Sequence, residues 1–79
     1  MTRQEEYIGI IEKVIENNCI VTMDSDFLLD LHFDSMQMVF LITILEEKYS
    51  INIDIKDITN ISKVHELYNL IKGKIDGIL

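Results

Sequence analysis

Three stretches of the chain bring apolar residues back every three or four positions, and each predicts a helix. Ile8, Ile11 and Ile15, with Tyr7 and Val14 beside them, place the first helix over residues 3–17. Thr2 and Glu5 have the spacing of a capping box at its start, and Glu16 to Asn18 supply a stop. Met38, Leu41, Ile42, Leu45 and Tyr49 predict a second helix that begins behind Asp34 and runs to Tyr49. Val64, Leu67, Tyr68, Ile71 and Ile75 predict a last helix over 63–76, capped by Ser62 and ended by Gly77. Residues 19–33 have no period. They read as an ordered connection with one helical turn near Phe27 to Leu29, whose Val21, Phe27, Leu28 and Leu31 tuck against the core. Ile51, Ile53 and Ile55 alternate as in a strand, but a lone strand has nothing to pair with. This stretch therefore reads as an extended link into a short helix near 55–59. The predicted fold is all-α, a small four-helix bundle with three main helices, one short helix and a long loop between the first two main helices.

The second helix carries more apolar surface than one core can take. Asp34 and Gln37 are spaced as a capping box, so Ser35 becomes the first helical residue with no capping duty of its own. Met36, Val39, Phe40 and Thr43, continued by Glu47, form a second stripe beside the core-facing one. Either a neighbouring segment covers this stripe, or it is a docking patch. The docking reading is preferred because a serine with a free hydroxyl stands at its head.

Composition narrows the picture. With 79 residues the chain has the length of one domain, spanning 1–79, and 48% hydrophobic residues argue against disorder. No apolar run approaches the roughly 20 residues of a membrane span. The amino-terminal stretch lacks the apolar core of a secretory leader. The single cysteine, Cys19, excludes an internal disulfide, fits a reducing cytoplasm and reads most simply as a small buried apolar residue. The net charge of −7 argues against nucleic acid as a partner, because binding phosphates needs clustered cations. Asp24, Asp26, Asp30, Asp34, Glu46, Glu47, Asp54 and Asp57 stand against only Lys48 and Lys56 in the middle of the chain. That acidity either serves solubility or steers basic partners.

Enzyme chemistry finds no foothold. Asp24 and Asp26 open like a calcium loop, but Leu28, Leu29 and Ser35 occupy positions where ligands and the turn glycine belong. His32, Asp34 and Ser35 have the residue types of a hydrolase triad, yet they crowd into four positions with no nucleophile elbow. His32 and His65 lack partners at metal spacing, and no glycine-rich phosphate loop exists. Glu46 and Glu47 point to different faces of a helix. The expectation is a protein that is not an enzyme and holds no metal. What remains is an exposed serine at the positive end of a helix, where a phosphate ester would be stabilised.

At this point the stretch from Leu31 to Ile53, "LHFDSMQMVFLITILEEKYSINI", resembles the acyl carrier proteins. Their pattern is L-G-x-D-S-[LM], an apolar helix, then "LEE-x-[FY]-x-I-x-I". Leu31, Asp34, Ser35 and Met36 match its first part, and Leu45, Glu46, Glu47, Tyr49, Ile51 and Ile53 its second. The D-S-[LM] triplet alone is common, and the helix behind it makes the match specific. The resemblance implies that Ser35 bears a covalent 4′-phosphopantetheine arm, installed from coenzyme A by a phosphopantetheinyl transferase. An acyl or aminoacyl group would ride on the arm as a thioester, presented in turn to loading and processing enzymes. The implied docking surface is Asp34, Met36, Val39, Phe40, Thr43 and Glu47, which coincides with the second stripe.

Two positions depart from the pattern. His32 stands where the family usually has glycine, and Phe40 where carriers of fatty acid synthesis usually have an acid. The first puts the loop geometry before Ser35 in question. The second favours a discrete carrier of a specialised polyketide, nonribosomal peptide or related pathway; the carrier is expected to be a monomer. Three alternatives stay open: a D-alanyl or other aminoacyl carrier, an interaction module of the same fold without a prosthetic group, and an unrelated all-α scaffold.

Overall fold

The computed structural model describes residues 3–15 and 20–78. The chain forms α1 (Arg3–Val14), α2 (Ser35–Tyr49), α3 (Ile55–Ile58) and α4 (Val64–Ile78). This is the expected all-α architecture, with three main helices, one short helix and a long loop between α1 and α2. Among the described residues the only extended pairing is one isolated bridge between Asp26 and Lys63.

α1 turns Tyr7, Ile10, Ile11 and Val14 inward against α2. It ends three residues before the expected Asn17, although the Ile15 N–H still reaches the Ile11 carbonyl at 3.2 Å. The proposed stop at Glu16 to Asn18 and the proposed capping box at Thr2 fall outside the described residues. α2 buries Leu41, Ile42 and Leu45, and α4 contributes Val64, Leu67 and Ile71 to the same core. Tyr7 joins α1 to the start of α4. Its hydroxyl donates to the Val64 carbonyl at 2.8 Å, and its ring packs on Tyr68 at 5.3 Å between centroids. Burial raises the Tyr7 pKa, so the hydroxyl keeps the proton that makes this bond. The Tyr49 hydroxyl donates to Glu6 Oε1 at 3.1 Å, and burial together with that carboxylate pushes it up to about 12.

The described part of the long loop, residues 20–34, is held by side-chain and backbone hydrogen bonds. Asp26 accepts from the Leu28 and Leu29 N–H groups at 2.9 Å each and so caps a single turn. Asp30 returns a carboxylate oxygen to the Asp26 N–H at 2.7 Å. Phe27 and Leu31, four positions apart, lie on the inner side of this turn and are buried. Leu28, expected in the core, is instead 67% exposed, because a capped helical turn carries it to the outer side. The loop is also stitched to the segment before α4. Phe27 N–H donates to the Ser62 carbonyl at 2.8 Å, Val64 N–H to Ser25 at 2.9 Å and His65 N–H to Met23 at 2.9 Å.

The link between α2 and α3 is extended, as expected. Ile51 and Ile53 point into the core. Ser50 ends α2 in the left-handed conformation at φ 54°, and Glu46 Oε2 takes the Ile53 N–H at 2.9 Å. Two features at α4 differ from expectation. Ser62 does not cap the helix. Its hydroxyl donates to Glu66 Oε1, which also collects the N–H groups of Ser62 and Lys63. Gly77 does not end the helix either; it remains helical and α4 continues to Ile78. A glycine stops a helix only when the next backbone turn goes left-handed, and here it does not.

Two outcomes follow. Gly9 lies inside α1, and a Cβ added there meets nothing within 4 Å. Gly9→Ala is expected to stabilise the domain by about 0.5–1 kcal/mol, read as a rise in thermal midpoint. At Glu66, the Lys63 N–H and then the Ser62 groups lower the carboxyl pKa. A depressed pKa contributes stability above the ordinary carboxylate range and loses it as pH falls through the folded-state value. The stability gap between the wild type and Glu66→Gln should therefore be present at neutral pH and shrink as pH falls below the ordinary carboxylate range in urea titrations.

Candidate functional site

Ser35 opens α2 with its cap already supplied by neighbours. The Asp34 carboxylate accepts the Gln37 N–H at 2.8 Å, and Gln37 Oε1 accepts the Asp34 N–H at 3.1 Å, the expected capping box. The next N–H, that of Met38, bonds the Asp34 carbonyl at 3.1 Å. The Ser35 and Met36 N–H groups and the Ser35 hydroxyl have no partner among the described residues. Ser35 is exposed. An oxygen nucleophile thus stands free at the positive end of a 15-residue helix, beside two unused donors. That arrangement fits a phosphate ester at Oγ and needs no rearrangement of the cap.

The approach to Ser35 is set by His32. Its backbone lies at φ 57°, the left-handed region that glycine enters freely and other residues enter at a cost. The departure from glycine at this position therefore leaves the turn intact and strains it. Phe33 follows, buried, with its N–H on the Phe27 carbonyl at 2.8 Å and its ring 5.2 Å from that of Phe27. The sequence analysis did not place Phe33 in the core. Its spacing two residues after Leu31 in an extended stretch was the available signal.

A groove of about 610 Å³ opens beside Ser35. Its wall is mainly apolar, with Phe27, Phe33, Met38, Val39, Ile58 and Ile61 among the lining residues. Its rim carries Asp26, Asp34, Thr59 and Ser62. Of the six residues assigned to docking, Met36 is 81% exposed, Phe40 59% and Val39 57%. Asp34, Thr43 and Glu47 are exposed beside them, and the Thr43 hydroxyl donates back to the Val39 carbonyl at 2.9 Å. The second stripe of α2 is uncovered by any described segment. The structure adds Leu28, Leu29 and Ile55 to this exposed surface, which the sequence analysis had not assigned to it. The Asp26–Asp30 spacing of a capped turn is the feature that could have revealed the first two.

A free serine at a helix start, an apolar groove beside it and an uncovered helix face define a carrier domain. The family model for the phosphopantetheine attachment site matches residues 8–71. Acyl carrier proteins of Rickettsia typhi and Rickettsia prowazekii are each 35% identical over 65 residues, covering 82% of this chain and 76% of theirs. That of Campylobacter lari is 30% identical over 64 residues, 81% of this chain and 83% of its own. A solved Mycobacterium tuberculosis structure bearing the acyl carrier name superposes with a TM-score of 0.81 at 26% identity, covering 99% of this chain and all of that one. An acyl carrier protein of Thermotoga maritima, at 23% identity and a TM-score of 0.75, shares the fold. The chain belongs to the phosphopantetheine-bearing acyl carrier protein family, and its prosthetic group is 4′-phosphopantetheine.

The strain at His32 can be measured. His32→Gly is expected to leave stability unchanged or raise it by up to about 1 kcal/mol, whereas His32→Val should lower it by about 1–2 kcal/mol. Denaturant midpoints of the three proteins decide this.

Proposed function

We propose that Ser35 receives the 4′-phosphopantetheine arm and that the chain acts as a single, monomeric, cytoplasmic carrier domain with no catalytic step of its own. The observation that carries the reading is the uncommitted Ser35 hydroxyl at the start of a helix whose cap is already complete. Coenzyme A is the donor. The Oγ–P bond forms at Ser35, the diphosphate P–O bond of coenzyme A breaks, adenosine 3′,5′-bisphosphate leaves, and the hydroxyl proton passes to a base of the transferase. The two free N–H groups of Ser35 and Met36 favour the resulting phosphate. The arm supplies a terminal thiol on which the cargo rides as a thioester.

The cargo is an acyl group in preference to a D-alanyl or other aminoacyl group. The apolar groove beside Ser35 and the acyl carrier relatives support this. Asp34, Met36, Val39, Phe40, Thr43 and Glu47 receive the phosphopantetheinyl transferase and the loading and processing enzymes. Tethering then raises the cargo's effective concentration at each enzyme. An apolar Phe40 on the docking face supports a specialised polyketide, nonribosomal peptide or related pathway, in place of housekeeping fatty acid synthesis.

Incubation with coenzyme A and a broad-specificity transferase should add one phosphopantetheine to the wild type and none to Ser35→Ala, read by intact mass. A folded wild type that gains nothing, beside a working control carrier, would favour an interaction module of the same fold without a prosthetic group.

A further inference from the structure

Three methionines stand among the described residues, and their surroundings differ. Met23 and Met38 are partly buried and pack against the core. Met36 is 81% exposed, and it is the residue directly after Ser35. It lines a hollow of about 280 Å³ with Val14, Asp34, Gln37 and Phe40. A side chain on a helix leans over the turn that precedes its own Cα. That geometry carries the Met36 side chain toward the Ser35 end of α2. A thioether is only a weak hydrogen-bond acceptor, so it leaves the N–H groups of Ser35 and Met36 unused.

Oxidation changes that. The thioether sulfur gives an electron pair to one oxygen of hydrogen peroxide, and the O–O bond breaks. The other oxygen takes the proton of the transferred one and leaves as water. The sulfur is oxidised to a sulfoxide and the peroxide is reduced. At Met23 or Met38 the new polar group would disturb packing against the core. At Met36 it stays in water, so the fold survives the change. The sulfoxide oxygen is a strong acceptor, and the positive end of α2 attracts it. The N–H groups of Ser35 and Met36 are the donors it meets there, and they are the ones that favour a phosphate on Ser35. We infer that Met36 is a site of reversible oxidation by peroxide, and that its sulfoxide slows attachment of the arm to Ser35. The inference rests on the carrier reading above. Sulfoxide reductases return the thioether, so the block can be lifted.

The test treats the carrier with dilute hydrogen peroxide, removes the peroxide, and then measures arm transfer from coenzyme A by a broad-specificity transferase. Peptide mapping should show one oxygen on Met36 before Met23 or Met38 gains any, with helical circular dichroism unchanged. The kcat/KM for arm transfer to the oxidised wild type should fall about fivefold or more, and methionine sulfoxide reductase should restore it. Each variant is read as its ratio of treated to untreated rate, so its own basal rate does not enter. For Met36→Leu that ratio should stay within about twofold of unity. Cys19→Ser should lose as much as the wild type, which sets the thiol aside. First oxidation at Met23 or Met38 would overturn the inference. So would a loss that persists in Met36→Leu, or one that vanishes in Cys19→Ser. A wild type that accepts no arm before treatment would sink the carrier reading and this inference with it. Arm transfer to the Met36 sulfoxide at the untreated rate would sink the oxidation inference alone.

Discussion

Carboxylates that accept backbone N–H groups hold this domain in shape. The chain has no proline and three glycines, so its corners are not fixed by residues with special backbone preferences. Side-chain acids fix them. Asp26 and Asp30 close the turn in the long loop, Asp34 starts α2, Glu46 ties down Ile53, Asp54 starts α3, and Glu66 gathers the turn before α4. Each is a charge-assisted bond, stronger than its neutral counterpart. Most of the acids in the middle of the chain therefore have a local structural role. The same charges still sum to a negative field at the surface, a consequence of how the corners are built.

The chemistry of Ser35 depends on one of these bonds. Because Asp34 serves the Gln37 N–H, Ser35 need not fold back onto the helix end. Because Phe33 is buried with its N–H on the Phe27 carbonyl, the strand of chain leading to the serine is anchored to the core. His32 makes the intervening turn at φ 57°, a strain offset by the anchors on either side. The result is an exposed hydroxyl on an anchored stretch of backbone, with no capping bond of its own. Asp34 would place negative charge beside the phosphate proposed at Ser35, but it is exposed and solvent screens it. The helix end and its two free N–H groups act at shorter range.

Where burial and periodicity coincide, the fold was legible in the sequence. Leu41, Ile42 and Leu45, like Val64, Leu67 and Ile71, recur on one helix face and are buried. The capping box at Asp34 and Gln37 was legible because both partners are close in sequence. The uncovered stripe was legible because a helix with two apolar faces in so small a domain cannot bury both. The failures have a common cause. Leu28 faces outward because Asp26 caps the turn, and Ser62 is a donor because Glu66 lies within reach. Whether Gly77 stops a helix depends on a backbone choice that residue type alone does not make. In each case a short-range hydrogen bond or dihedral decides, and hydrophobic pattern does not register it.

The division of labour between core and caps also bears on the groove. α3 buries none of its residues, and it forms one wall of the hollow beside Ser35 through Ile55 and Ile58. It is held by the Asp54 and Asp57 caps, by Glu46 on the preceding link, and by an ion pair of Asp57 with Lys74 at 3.3 Å. An ion pair this exposed contributes little. Displacing that wall would break polar ties that water can replace and the partly buried contact of Ile58 with the core, whereas Tyr7, Leu41, Leu45 and Leu67 are packed deeper. Segments with few buried contacts open at lower free energy than the core. The domain thus places its hydrophobic stability in α1, α2 and α4, and α3 supplies the less buried wall of the groove beside Ser35.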